Sequence, residues 1–144
     1  MEINLENKTV WVFGGSKGIG RSIAIEMSRS GANVLLIARN KNALSKTLSE
    51  LCTLKNQEHD FLAVDMNKTS ELSGVIKNYH NLNSVDIIIN NSGGPSSGAA
   101  HTAGVDEYLA AFTQHLISAQ VIGSVVIPIM KRKRFGRILN IIST

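Results

Sequence analysis

Glycines cluster in one short segment near the amino terminus, which reads Gly14, Gly15, Ser16, Lys17, Gly18, Ile19, Gly20. An apolar run at residues 10–13 precedes this segment, and Ile23 and Met27 follow Ile19 at the four-residue spacing of a helix. Glycines at a strand-to-helix turn let backbone amides approach a phosphate, and the helix N-terminus adds partial positive charge. The pattern predicts a nucleotide-binding loop at residues 14–20, the alternative being a tight turn that needs small residues.

Two other glycine motifs fail at single positions of this segment. A Walker loop requires a lysine where this chain has Arg21, so the side chain that grips the phosphate is missing. The Gly-x-Gly-x-x-Gly pattern fails because Ile23 stands at its third glycine position, after Gly18 and Gly20. The spacing that remains is Gly-x-x-x-Gly-x-Gly.

The end of the second apolar run indicates which nucleotide is bound. An acidic residue about 20 positions after the glycines would bind the adenosine ribose hydroxyls of NAD, but Ala38 and Arg39 stand there. Arginine suits a 2′-phosphate by its charge and its planar fork of donors, and Lys17 supplies a second cation. The sequence therefore favours NADP(H) over NAD(H), unless both side chains are simply solvent-exposed charges.

Strand and helix patterns alternate along the whole chain. Apolar runs predict strands at residues 10–13, 33–38, 61–64, 85–89 and 137–142, and helical spacing of apolar residues predicts helices between them. Strands that are apolar throughout are typical of a parallel sheet covered by helices on both faces. We expect one domain over residues 1–144, a three-layer, doubly wound α/β fold of the Rossmann type.

Composition excludes several classes of protein. A chain of 144 residues with 43% hydrophobic and 18% charged residues can bury a sizeable core without disulfides or metal. The single cysteine, Cys52, excludes an internal disulfide framework and is expected to be a buried structural thiol beside Leu48 and Leu51. The histidines lack metal-ligand spacing, so no metal site is expected. The polar, acidic N-terminus does not resemble a signal peptide, which predicts a cytoplasmic protein.

Two segments could suggest a different partner. Residues 116–130 are mostly apolar, but a membrane-spanning helix needs about 20 such residues, so we expect a buried core helix and no membrane. The basic run 131–134 is expected to be a solvated helix end, with an acidic partner as the alternative. Because no aromatic platform accompanies these cations, nucleic-acid binding is not expected. Asp86 is expected to position its strand rather than to perform chemistry.

Several motifs, in this order along the whole chain, resemble those of the classical short-chain dehydrogenase/reductase family. The glycines at positions 14, 18 and 20 fall on its glycine motif, although Phe13 replaces the threonine usually found before it. Asp65 matches the family's adenine-contacting aspartate, which implies that Asp65 and the adjoining Met66 contact the cofactor.

Later motifs carry the same resemblance. Asn90-Asn91-Ser92-Gly93 is similar to the family's Asn-Asn-Ala-Gly, which implies cofactor contacts for Asn91, Ser92 and Gly93. Residues 137–143 resemble the family's fifth strand, whose last residue, here Ser143, is the catalytic serine that orients the substrate. The continuation into Gly94 and Pro95 is similar to proteins of the 3-oxoacyl-acyl-carrier-protein reductase type.

The resemblance implies an oxidoreductase that transfers hydride between NADPH and a carbonyl or alcohol, either a small molecule or an acyl thioester. It also implies a homodimer or homotetramer packed partly through the long helix. In the family a tyrosine donates a proton to the carbonyl oxygen, assisted by a lysine four residues later. Here Asn83 follows Tyr79 at that spacing and Phe112 follows Tyr108. His115 stands where the resemblance places a helical asparagine.

These 144 residues contain no Tyr-x-x-x-Lys, so we expect them to form the cofactor-binding part of the fold, truncated after the fifth strand. The alternative is a non-catalytic nucleotide-binding module that lacks the pair. The first possibility predicts that the parent gene continues into Tyr-x-x-x-Lys, and the second predicts NADPH binding without turnover.

Overall fold

The computed structural model describes residues 3–94, 98–99 and 101–142. The strands are β1 (Thr9–Phe13), β2 (Asn33–Ala38), β3 (Asp60–Ala63), β4 (Val85–Asn90) and β5 (Arg137–Asn140). The helices are α1 (Gly18–Arg29), α2 (Lys41–Leu48), α3 (Thr69–Lys77), α4 (Val105–Phe112) and α5 (Ser118–Lys133). A 3-10 turn over Leu82–Ser84 precedes β4, and a π-helical turn over Thr113–Ile117 joins α4 to α5.

The strands form one parallel sheet in the order β3-β2-β1-β4-β5. The chain builds the sheet outward from β1 in one direction, through β2 and β3, and then in the other, through β4 and β5. The order therefore reverses between β1 and β4, the place where open α/β sheets bind ligands. The predicted doubly wound fold is confirmed.

The core lies in two layers because side chains along a strand alternate between the faces of the sheet. Trp11 and Phe13 of β1 belong to the cluster that also contains buried residues of α3 and α5. Val10 and Val12 belong to the opposite cluster, which includes Ala24 of α1 and Leu44 of α2. The uniformly apolar β1 thus reflects burial on both faces, as the sequence predicted.

The fifth strand differs from the other four. All four of its residues are exposed, including Ile138 at 40% and Leu139 at 46%. The expectation that helices cover every strand on both faces is wrong for β5, which is an edge strand of the described sheet. The ladder also ends earlier than predicted, at Asn140, although the Ile141 amide still donates to the Asn90 carbonyl.

Two helices end before the helical spacing of their apolar residues does, which continues through Leu48 to Leu51 and through Ile76 to Tyr79. After Leu48 the chain turns more tightly, with the amides of Glu50 and Leu51 donating to carbonyls three residues back, and this tightening ends α2. Cys52 is therefore outside the helix and only half buried, which corrects the predicted buried thiol. Tyr79 likewise lies beyond the end of α3.

The helical run Val105–Lys133 spans 29 residues and is long and apolar enough, by length and composition, to cross a membrane. It is longer than the apolar segment 116–130, which has 15 residues. In the fold its second half packs on the sheet, where Ile122, Val126 and Ile129 join the core. Its first half leaves Leu109 and Phe112 more than half exposed. The predicted core helix is thus confirmed for α5 only.

Asp86 connects three elements at the amino end of the sheet. The register between β1 and β4 shifts at Thr9 and Val10, so Asp86 has no opposite residue on β1. Its side chain is 6% exposed and accepts from the Thr9 amide at 3.0 Å and from Lys133 Nζ at 2.5 Å. The positioning role predicted for Asp86 is confirmed, whereas the fully solvated helix end is wrong for Lys133.

Replacing Lys133 with Met should destabilise the fold by about 2 kcal/mol, because the buried Asp86 carboxylate loses its counter-charge. Urea unfolding followed by circular dichroism measures the change. Arg132→Met is the matched control, since this neighbouring cation is exposed and is expected to change stability by less than about 0.5 kcal/mol. Equal effects of the two substitutions would contradict this account of the ion pair.

The Tyr79 hydroxyl donates to Asp60 Oδ2 at 3.3 Å, and its ring lies edge-on to Trp11 with centroids 5.5 Å apart. Burial, followed by the charge and hydrogen bond of Asp60, raises the pKa of Tyr79 to about 12. A tyrosine in the unfolded chain titrates near pH 10. The folded state therefore retains this proton longer, and the free energy of unfolding falls as pH rises from about 10 to about 12.

An alkaline titration followed by tyrosinate absorbance should show a phase near pH 12 that disappears in Tyr79→Phe. Asp60→Asn should move this phase to lower pH, because the carboxylate no longer opposes the phenolate charge. A phase near pH 12 that persists in Tyr79→Phe would refute the assignment.

Candidate functional site

A crevice of about 530 Å³ opens at the carboxyl ends of β1 to β4. Its walls come from the loops that follow these strands, with Gln114 of the π-helical turn added at one side. The residues expected from sequence that line it are Gly14, Ser16, Lys17, Gly18, Ile19, Arg39, Asp65, Met66, Asn91, Ser92 and Gly93. The fold thus brings together motifs that lie up to 79 positions apart, as the resemblance implied.

The other two expected cofactor residues, Gly15 and Gly20, are not among the residues that line the crevice. A Cβ on Gly15 would come within 2.9 Å of the Leu36 side chain, and one on Gly20 would overlap the Gly14 carbonyl. Gly14 itself has a left-handed φ of +66°, and a Cβ there would lie 2.6 Å from the Asn91 carbonyl oxygen. These glycines allow the loop after β1 to pack directly against α1, β2 and the loop after β4.

The N-terminus of α1 borders the crevice and is suited to binding an anion. No described side chain caps it, and its first turn holds no acidic residue. Its amides therefore keep the partial positive charge of a helix N-terminus. Arg21, at the position of a Walker lysine, pairs instead with Glu50 and does not line the crevice.

The loop after β2 presents Arg39 to the crevice. The next residue, Asn40, begins α2 by accepting a hydrogen bond from the Ala43 amide at 2.9 Å. Arg39 and Lys17 are both exposed, and within the described ranges neither forms an ion pair with a carboxylate. The crevice therefore contains two cations whose charge is available to a ligand.

Asp65 and Met66 line the crevice just after β3. The Asp65 side chain accepts from the Asn67 amide at 3.0 Å, and its carbonyl accepts from the Lys68 amide at 3.1 Å. Asp65 thus shapes the turn into α3. Its contact with adenine remains a prediction.

The loop after β4 is held from two sides. Asn91 Nδ2 donates to the Gly14 carbonyl at 3.5 Å, and Gln114 Nε2 donates to the Gly93 carbonyl at 2.5 Å. Ser92 Oγ lies 2.7 Å from Nδ1 of His115. Sequence reasoning did not identify Gln114, because a regular α-helical spacing gives no sign of the π-helical turn that carries it.

A second cavity of about 260 Å³ adjoins the crevice and shares Met66, Asn91, Ser92 and Gln114 with it. Its other walls come from the ends of β1, β4 and β5, from His115 and Leu116, and from the first turns of α5. The expected catalytic residue, Ser143, and Pro95 lie outside the described residues. Across the described ranges, no group of three or more metal-ligating side chains is found.

Comparisons with known proteins agree with this architecture. The family model of the short-chain dehydrogenases matches residues 8–144. Over 140 residues the chain is 33% identical to the 3-oxoacyl-acyl-carrier-protein reductase FabG of Chlamydia trachomatis, an alignment that covers 96% of this chain and 56% of that protein.

Solved structures give the same result. L-Sorbose reductase from Gluconobacter frateurii, complexed with NADPH and L-sorbose, superposes with a TM-score of 0.87 at 23% identity, over 97% of this chain and 54% of that one. A short-chain dehydrogenase from Sphingobium yanoikuyae in complex with NADPH gives 0.84 at 26%, over 95% and 54%. The chain spans about half the length of these relatives. Because the family model covers nearly all of it, the chain belongs to the short-chain dehydrogenase family.

Proposed function

We propose that the chain binds NADP(H) in the crevice and forms the cofactor-binding part of an oxidoreductase acting on a carbonyl or alcohol. The observation that carries this proposal is the presence of two available cations, Lys17 and Arg39, beside an uncapped helix N-terminus. The helix N-terminus suits the diphosphate of a dinucleotide, and the two cations suit the additional charge of a 2′-phosphate. A volume of about 530 Å³ lies within the range of cofactor sites.

The fit to NADPH can be described residue by residue. The residue that follows β2 is Arg39, and an arginine there accommodates a 2′-phosphate, whereas an acidic residue would hydrogen-bond a free 2′-hydroxyl. The loop of Gly14 and Gly18 and the amides of α1 would hold the diphosphate. Asp65 and Met66 would border the adenine. When bound, NADPH supplies the hydride. The NADPH in the two similar structures supports this assignment.

The double substitution Arg39→Asp, Lys17→Ser should weaken NADPH binding by about 30- to 100-fold and NADH binding by less than about threefold. The reason is that charge-assisted hydrogen bonds to the 2′-phosphate are lost, and NADH lacks that group. Fluorescence titration of both nucleotides measures the two changes.

A control with the same change in charge is Lys46→Asp, Lys77→Ser, since neither lysine lines the crevice. It should leave the ratio of the two affinities unchanged. Equal losses for NADPH and NADH in the crevice variant would refute the assignment of the 2′-phosphate site.

Turnover requires a proton donor as well as a hydride. We propose that Ser143 orients the substrate oxygen, as the resemblance implies, but the 144 residues contain no Tyr-x-x-x-Lys to donate the proton. The second candidate is a nucleotide-binding module without catalysis. An assay of the 144-residue chain separates binding from catalysis.

We expect the 144-residue chain to bind NADPH and to oxidise it, with acetoacetyl thioesters or cyclohexanone present, no faster than its Ser143→Ala variant does. Absorbance at the reduced-nicotinamide band measures the rate. Carbonyl-dependent oxidation clearly above that of Ser143→Ala would exclude the non-catalytic module. It would also show that another group supplies the proton.

The exposed apolar face of the long helix supports self-association. Leu109, Phe112 and Leu116 are each more than half exposed on one stretch of α4 and the π-helical turn. Contiguous apolar surface of this kind is typical of interfaces. We infer that this face packs against a second copy in a homodimer or homotetramer.

A further inference from the structure

The hydrogen-bonded pair Ser92–His115 occupies a position between two cavities. Ser92 lines both the cofactor crevice and the adjoining cavity, while His115 lines the adjoining cavity. The two side chains meet at 2.7 Å although they lie 23 residues apart. We propose that this pair is a hydrogen-bond polarity switch, in which the protonation state of His115 decides whether Ser92 offers the cofactor a donor or an acceptor. The inference rests on the proposed function.

The π-helical turn makes the pair possible. A π turn advances each residue through a smaller angle than an α-helix does, so consecutive side chains point in more similar directions. Gln114 and His115 both reach the loop after β4, one at the Gly93 carbonyl and the other at the Ser92 hydroxyl. Single π turns are frequent at functional sites. The loop is therefore held by two side chains, and one of them, His115, is able to bind a proton.

The chemistry of the pair follows from the donors available. A neutral imidazole whose Nδ1 is an acceptor takes the Ser92 hydroxyl proton, which leaves only oxygen lone pairs for a ligand. A protonated imidazole has N–H at both nitrogens, so Nδ1 becomes the donor to Ser92 Oγ. The hydroxyl proton is then released to point elsewhere. The polarity of the 2.7 Å contact reverses without any movement of the backbone.

The surroundings leave His115 open to solvent. The ring belongs to an exposed residue, so protons reach it from solvent. The described residues of the loop, of β5 and of the helix that line the adjoining cavity include no charged side chain. The charged residues of the crevice are Lys17, Arg39 and Asp65. No described carboxylate in the adjoining cavity therefore holds His115 in one state.

Asn90, which lines the same cavity, has an unsatisfied acceptor. Its Oδ1 atom is buried and accepts no hydrogen bond from any described residue, although Asn90 Nδ2 donates to Asn140 Oδ1 at 2.8 Å. Such groups are uncommon in folded proteins. When His115 is protonated, the switch would add a donor, the Ser92 hydroxyl, to the lining of this cavity.

The expected consequence is a pH-dependent affinity for the cofactor. Phosphate, ribose and carboxamide oxygens of NADPH are acceptors, so a released Ser92 proton should strengthen binding. One added hydrogen bond of ordinary strength gives about a two- to fivefold gain in affinity between pH 8.0 and pH 6.0, the range in which imidazoles titrate. NADH, which lacks the 2′-phosphate, should show this gain alone, whereas titration of the 2′-phosphate also contributes to the NADPH curve.

The test compares dissociation constants of NADPH and NADH at pH 6.0 and pH 8.0 in the full chain and three variants. His115→Asn and Ser92→Ala should each abolish the gain for NADH. His80→Asn is the matched control, because His80 lines a separate cavity with residues at the amino ends of the strands. It should retain the gain. A gain in NADH affinity at pH 6.0 that survives in both pair variants overturns the switch.

Nitrogen NMR of the His115 ring supplies a readout that does not depend on the cofactor. At high pH we expect the proton on Nε2, and Ser92→Ala should shift the tautomer balance and the titration midpoint. Ring signals that are unchanged by Ser92→Ala overturn the switch. Absence of NADPH binding at both pH values overturns the proposed function and the switch together, whereas NADPH binding without the predicted gain for NADH overturns the switch alone.

Discussion

The close approach of two loops at one edge of the sheet is the constraint on which the cofactor crevice depends. The loop after β1 passes so near α1 and the loop after β4 that a Cβ on Gly14 or Gly20 would overlap backbone. This contact fixes the N-terminus of α1 against the switch between β1 and β4. Without it the helix would retreat, and its amides would no longer border the crevice. The spacing of these glycines therefore reflects the close packing of the two loops as well as a binding motif.

Side-chain hydrogen bonds connect β1 and β4 at both ends of these strands. At the amino end Asp86, left unpaired by the register shift, accepts the Thr9 amide and takes its counter-charge from Lys133. At the carboxyl end Asn91 donates to the Gly14 carbonyl. A shift of one strand along the other would break both ties. The register that places the loops after β1 and β4 opposite each other thus depends on polar contacts as well as on the apolar core.

The parts of the molecule that sequence could predict are those encoded locally. The strand at residues 33–38 has the predicted bounds, because its apolar run is followed directly by the polar residues Arg39 and Asn40. Lys17 and Arg39 were found because each follows a strand at a fixed offset. The contact between Ser92 and His115 could not be found this way, since it depends on a π-helical turn 23 residues from its partner. Nor could composition show that Lys133, within a basic run, has a buried carboxylate as partner.

Binding and proton transfer place different demands on this edge of the sheet. Binding needs fixed charge, and the crevice has it in Lys17, Arg39 and the α1 N-terminus. A proton donor near neutral pH must be an ionisable side chain, and among the described residues lining the adjoining cavity the ionisable one is His115. A serine hydroxyl alone cannot fill the role, because it ionises far above that range. The proposed switch therefore rests on the imidazole that contacts Ser92. In that proposal the contact that holds the loop would also decide which way the Ser92 hydroxyl points.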